Sequence, residues 1–260
     1  MIISLAVVHI KVKNWRSYMN YSQTPEIVYE DRDIIVCLKP AGTPTQSRQI
    51  GVPDMVSILK NHLADQERSK GRKTSEKEAS PTPYLAVVHR LDQPVEGLLV
   101  FAKTPASARE LNRQLNTSAF GKYYTAFVEG IPQPEEGCLE NFLVKDGRSN
   151  ISRICPENTP GARHAKLHYH VTDILGGNAF VKIRLDTGRH HQIRVQMSHF
   201  GHPLAGDRKY GSTLHAPQLC LCAYRLSFLH PADHHPMEFT VTPSFCKISK
   251  VADDSSRVPK

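Results

Sequence analysis

Two short apolar runs, Tyr84 to His89 and Leu98 to Ala102, stand on either side of a polar loop that carries Asp92, Pro94 and Gly97. Apolar runs of this length bounded by turn residues read as buried strands. Pro94 restricts Gln93 to extended geometry, and Gly97 permits a backbone turn closed to other residues. The loop is therefore expected to be stiff, and a stiff loop on strand ends holds a reactive side chain in place before any substrate arrives. Taken alone, the same pattern also describes an ordinary turn, because aspartate is a common turn former.

The rest of the chain sets the class of fold. Ile27 to Glu30 and Ile34 to Lys39 are β-rich runs split by Asp31-Arg32-Asp33, which predicts a hairpin leading into the turn Lys39-Pro40-Ala41-Gly42. Thr104 and Pro105 supply an N-cap and a first helical residue, and Ala108, Leu111 and Leu115 share one face, so a helix is predicted over about 105 to 117. Further strands are predicted at Lys122 to Glu129, Lys166 to Thr172, Ala179 to Leu185, Tyr224 to Leu229 and Glu238 to Thr242. Ile193, Met197 and Phe200 fall at helical spacing, with Gly201 placed to end that helix. Strands outnumber helices without regular alternation, which implies an α+β fold with a mixed, mostly antiparallel central sheet and packed helices. From Ala64 to Pro83 charged residues, serine and proline crowd out apolar ones, the composition of a solvated, flexible insertion. Residues 1–18 read as an extended start or an added edge strand.

The 260 residues carry a formal charge of +8, with a pI near 9.2, and a basic chain favours a partner rich in phosphates. Six cysteines without a C-x-x-C pair read as reduced thiols. Met1 to Val8 is apolar, but it lacks a basic leader and is too short to span a bilayer, so a cytoplasmic protein with no membrane partner is expected. Fourteen histidines raise the possibility of a metal enzyme. No H-E-x-x-H pair and no structural zinc spacing supports it, so no metal is expected.

The segment His89-Arg90-Leu91-Asp92 through Gly97 to Ala102-Lys103 resembles the signature of the RluA-like pseudouridine synthases. Three further blocks are similar to that family and come in the same order. They are Ile27 to Asp31 with Lys39-Pro40-Ala41-Gly42, then Lys122-Tyr123-Tyr124-Thr125-Ala126 to Gly130, and then Thr187-Gly188-Arg189-His190-His191-Gln192-Ile193-Arg194 to Met197, which continues through Gly206-Asp207 to Tyr210-Gly211. The resemblance spans roughly residues 26–243 and implies the pseudouridine synthase catalytic fold over 25–245. Residues 1–24 would be an extension rather than a separate RNA-binding domain, and 246–260 a tail.

The resemblance implies an isomerase that acts on rRNA or tRNA without a cofactor, as a monomer. Asp92 matches the family aspartate that acts at the sugar, an accepted role for a positioned carboxylate. Arg194 matches the arginine that pairs with it, and Tyr124 matches the tyrosine that stacks on the target base. Arg90 matches the side chain that fills the gap left by the flipped base, and His89, Arg189 and Lys39 are expected to meet RNA. Two departures stand out. The family commonly has Arg-x-Thr-Ser-Gly after the aspartate, whereas this chain has Gln93-Pro94-Val95-Glu96-Gly97, so Glu96 is expected to repel a nearby phosphate. His190 stands where threonine is usual. The altered loop leaves a second reading, an RNA-binding module that keeps the fold without turnover.

Overall fold

The computed structural model describes residues 7–9, 26–49, 51–69, 82–115 and 117–246. In chain order the elements are β1 (Val7–His9), β2 (Glu26–Glu30), β3 (Ile34–Lys39), α1 (Met55–Ser69), β4 (Ala86–Val87), β5 (Glu96–Ala102), α2 (Pro105–Gln114), β6 (Gly121–Val128), β7 (Glu136–Asp146), β8 (Ile151–Cys155), β9 (Arg163–Leu175), β10 (Asn178–Leu185), α3 (Gln192–His199), β11 (Leu221–Leu229) and β12 (Pro236–Thr240). They belong to two compact units, one made of Met1–Phe120 with Leu226–Val241, the other of Gly121–Arg225 with Thr242–Lys260.

In the first unit β2 and β3 form the predicted antiparallel hairpin. Asp31 builds its turn by accepting the amides of Asp33 and Ile34 at 2.7 and 2.8 Å. β3 pairs antiparallel with β5 so that Lys39 lies opposite Gly97 and Ile34 opposite Ala102. Every residue of β5 is buried, which is why its stretch Leu98 to Ala102 is a continuous apolar run and does not alternate. α2 begins as its cap residues dictate, with the Thr104 hydroxyl accepting the Ser107 amide at 3.1 Å. It stops at Gln114, short of the expected 117, because Thr117 turns back and donates both its amide and its hydroxyl to the Gln114 carbonyl at 2.9 Å.

α1 corrects part of the expected insertion. Met55, Leu59 and Leu63 are buried at a spacing of four, and the helix continues through Ala64 to Ser69. Gln66, which reads as part of a solvated run, donates to Glu30 at 3.2 Å, so the polar composition there reflects a helix face with polar contacts. Residues 70–81 of the expected insertion lie outside the described residues. Residues 7–9 are an added strand, paired in parallel with β12.

In the second unit the strands run β6-β10-β9-β7-β8, each pair antiparallel. Leu143, Ala165, Val195 and Tyr210 form a core that ties α3 to the sheet, with Ile151 and Ile154 packed against it. α3 ends where expected, at His199, followed by Gly201 with φ +93°.

Just past β6, Glu129 fastens the loop Ser212–Leu214: it accepts the Ser212 hydroxyl, the Thr213 and Leu214 amides, and the Thr213 hydroxyl. Burial would raise its pKa, but these donors prevail and hold the carboxyl below the ordinary glutamate value. A carboxylate with a depressed folded pKa stabilises above its unfolded pKa, and that stability is lost as pH falls through the folded value. Glu129→Gln is therefore expected to cost about 1–2 kcal/mol at neutral pH. Denaturant curves should show the gap between variant and wild type closing only below the ordinary glutamate range.

Candidate active site

In the first unit the residues on both sides of Asp92 are clamped by the chain around Lys39. Thr45 grips Leu91, its hydroxyl donating to the Leu91 carbonyl at 3.0 Å and accepting the Leu91 amide at 3.2 Å. The Gln93 carbonyl accepts the Gly42 amide at 2.9 Å, and the Gln93 side chain donates to the Gly42 carbonyl at 3.0 Å. Asp92's own carbonyl accepts the Val95 amide at 3.0 Å, closing the turn that Pro94 predisposes. Asp92 is left half-buried on a backbone fixed at three points.

Lys39 corrects one sequence expectation. Instead of meeting RNA at the surface, it is fully buried, and its Nζ donates to the carbonyls of Pro40, Thr43 and Gln93 at 2.9, 2.6 and 3.0 Å. Burial pushes its pKa down to about 7, while Asp92 and Glu96 act to raise it. The ammonium has three protons and finds three acceptors, which is what a buried lysine requires. Glu96 is a second correction: it is buried as the first residue of β5, so the acid gained in this loop is withdrawn from the surface where a phosphate would lie.

His89 is half-buried, accepts the Val100 amide on Nε2 at 3.3 Å, and packs edge-on to Phe120 at 5.4 Å between centroids. Its ring braces the strand that leads into the loop. Arg90 is exposed.

In the second unit Tyr124 is buried on β6, opposite Ile183. Arg194 is buried on α3, and its fork is held at both ends by Asp207, Nε and Nη2 each donating at 2.7 Å. Asp207 had no role among the site residues expected from the sequence. The residue before it, Gly206, has φ +81°, and a Cβ there would lie 2.5 Å from the Gln218 carbonyl oxygen, so a glycine is required at that position. The Arg194 guanidinium also lies over the Tyr210 ring, 5.0 Å from its centroid.

Tyr210 extends the support to the start of α3. Its hydroxyl accepts the Ser152 amide at 2.9 Å and shares a hydrogen bond with His191 Nδ1 at 2.8 Å. His191 sits in the left-handed region at φ 54°. Burial first, then Arg194 and His190, push its pKa down to about 3, so the imidazole is neutral at ordinary pH. His190, the departure from threonine, bonds Ser152 Oγ and Asn150 Oδ1 at 2.9 and 3.1 Å, joining α3's start to β8 and the turn before it. Asp207→Asn removes a buried carboxylate that holds both Nε and Nη2 of the guanidinium, and breaking such a buried pair costs about 3–5 kcal/mol. A matching fall in unfolding free energy is the expected result.

Arg189 is exposed and donates from Nε to the His164 carbonyl at 2.7 Å. Burial and the neighbouring Arg189 push the Lys122 ammonium below its ordinary value, with Asp186 acting the other way. Two cations held near each other suit a polyanion.

Comparison with known proteins places the chain in a family. The family profile described as RNA pseudouridylate synthase matches residues 33–199. The dual-specificity RNA pseudouridine synthase RluA of Salmonella typhimurium is 34% identical over 235 residues, covering 87% of this chain and 98% of that protein. Ribosomal large subunit pseudouridine synthase D of Neisseria meningitidis serogroup B is 32% identical over 230 residues, covering 82% of this chain and 57% of that protein, so the chain spans little more than half its length. Among solved structures, human RNA pseudouridylate synthase domain containing 4 superposes with a TM-score of 0.67 at 20% identity, over 87% of this chain and 92% of that one, which shows a common fold. The chain belongs to the RNA pseudouridylate synthase family, in its RluA-like branch. It is an isomerase that acts on RNA.

Proposed function

We propose that this protein converts selected uridines of ribosomal or transfer RNA to pseudouridine, with Asp92 as the carboxylate that acts at the ribose. The observation that carries the assignment is the fixing of Leu91, Asp92 and Gln93 by Thr45, Gly42, Lys39 and Val95, which pre-positions one half-buried carboxylate. The reaction breaks the bond from uracil N1 to the ribose carbon and makes one from C5 to that carbon. The C5 proton is released and N1 gains one, so atoms and electrons balance without a redox partner or group donor.

The remaining roles follow from side-chain chemistry. Tyr124 offers an aromatic face to the uracil, and Arg194, held by Asp207, a fixed positive charge. Arg90, exposed and two residues before Asp92, is suited to fill the space of an extruded base. Arg189 and Lys122 are suited to phosphate. The relatives' names include a dual-specificity RNA enzyme and one for the large ribosomal subunit, which motivates ribosomal RNA as one substrate and a second RNA pool beside it in the test.

The test is carbodiimide mapping of pseudouridines in unmodified rRNA and tRNA transcripts after incubation with purified protein. New stops at discrete uridines in either pool are expected. Their absence from both would overturn the proposal.

A further inference from the structure

We propose that the outward sheet face formed by β9 and β10 of the second unit is a docking surface for a single-stranded stretch of the RNA, made by residues that the reaction does not use. The inference rests on the reading that RNA is the substrate. Because side chains alternate along a strand, His168 and His170 share a face with each other, as do Lys182 and Arg184. The register places His170 directly opposite Lys182 and His168 directly opposite Arg184, while Arg184's other neighbour is Tyr123. These residues line one side of a hollow of about 630 Å³, closed by Tyr224 and β7.

The electrostatics suit an anion in that hollow. Basic groups directly opposite one another repel whenever the histidines are protonated, and a bound phosphate would relieve the repulsion. Carboxylates offset part of the charge: Asp186 lies 2.9 Å from His168 and 3.5 Å from Arg184, and Glu136 lies 3.6 Å from His170. Among the described residues no carboxylate lies within ion-pair distance of Lys182, and its Nζ lies 5.8 Å from the centroid of Tyr224. Tyr123 in turn carries the Arg225 guanidinium 4.5 Å from its centroid. Cations interleaved with aromatic rings on an open sheet are the composition of a platform for unpaired nucleotides, where bases stack and phosphates find positive charge.

The experiment titrates a fluorescein-labelled single-stranded oligouridylate, followed by anisotropy at several salt concentrations, into wild type, Lys182→Ala/Arg184→Ala, and a charge-matched control on the outer face of α2, Arg109→Ala/Arg113→Ala. The β10 variant is expected to bind at least about tenfold more weakly, with its log–log salt slope shallower by about 1.4, the share of two single-strand phosphate contacts. The control should match wild type within about twofold. Far-ultraviolet circular dichroism confirms that both variants fold. Cross-linking of a 4-thiouridine-substituted strand should map to peptides holding Tyr123 and Tyr224. Unchanged affinity and slope in the β10 variant, or equal loss in the control, would overturn the inference. If wild type forms pseudouridine in the mapping assay but binds the single strand no better than the β10 variant does, the docking surface alone fails. No binding and no pseudouridine would remove the reading beneath it as well.

Discussion

Replacing Asp92 by asparagine is expected to lower kcat/KM for pseudouridine formation by at least about 10⁴-fold, the scale seen when a group acting directly on the reacting atoms is removed. Asparagine keeps the size and most of the hydrogen-bonding shape of the side chain. The loop is held through the backbone of its neighbours, by Thr45 on Leu91 and by Gly42 and Lys39 on Gln93, so it should keep its form. Only the charge and basicity of one carboxylate are lost. RNA affinity should therefore stay within about threefold of wild type, and single-turnover kinetics with a saturating excess of enzyme would separate that loss of chemistry from any loss of binding. A module that binds RNA without turnover predicts instead that wild type and variant are equally silent.

Lys39→Met is expected to cost about 3–5 kcal/mol in unfolding free energy, because it strips the buried Nζ donor from three carbonyls at once and leaves them without it. Methionine has nearly the right length, so lost packing explains little of that figure. Since the Gln93 carbonyl is one of the three acceptors, kcat should fall together with stability, and the two effects can be compared by assaying well below the variant's melting temperature. A variant with wild-type stability would mean that Lys39 does not hold the turn together.

How much could be read in advance depended on burial. β5 was legible because it is buried on both faces and so its stretch Leu98 to Ala102 is written as an unbroken apolar run, and α2 because Thr104 and Pro105 announce its first turn. β7 and β8 were not read from the sequence. β7 is half-exposed along most of its length, with Glu136, Cys138, Glu140, Lys145 and Asp146 among its residues, so no apolar periodicity marks it. Lys39 and Glu96 were misjudged for the opposite reason. Lysine and glutamate are rarely buried, and nothing local to either shows that each lies within the other's field. Asp207's hold on Arg194 joins residues thirteen positions apart through a loop, a contact that only folding reveals.

The most direct measurement of the central assignment is tritium release from RNA labelled at uracil C5, run in parallel on tRNA and rRNA pools with wild type and the Asp92→Ala enzyme. The account predicts release by wild type from at least one pool and none above background by the variant. Comparable release by both proteins would contradict it, because the proton would then be leaving without the carboxylate on which the chemistry is built.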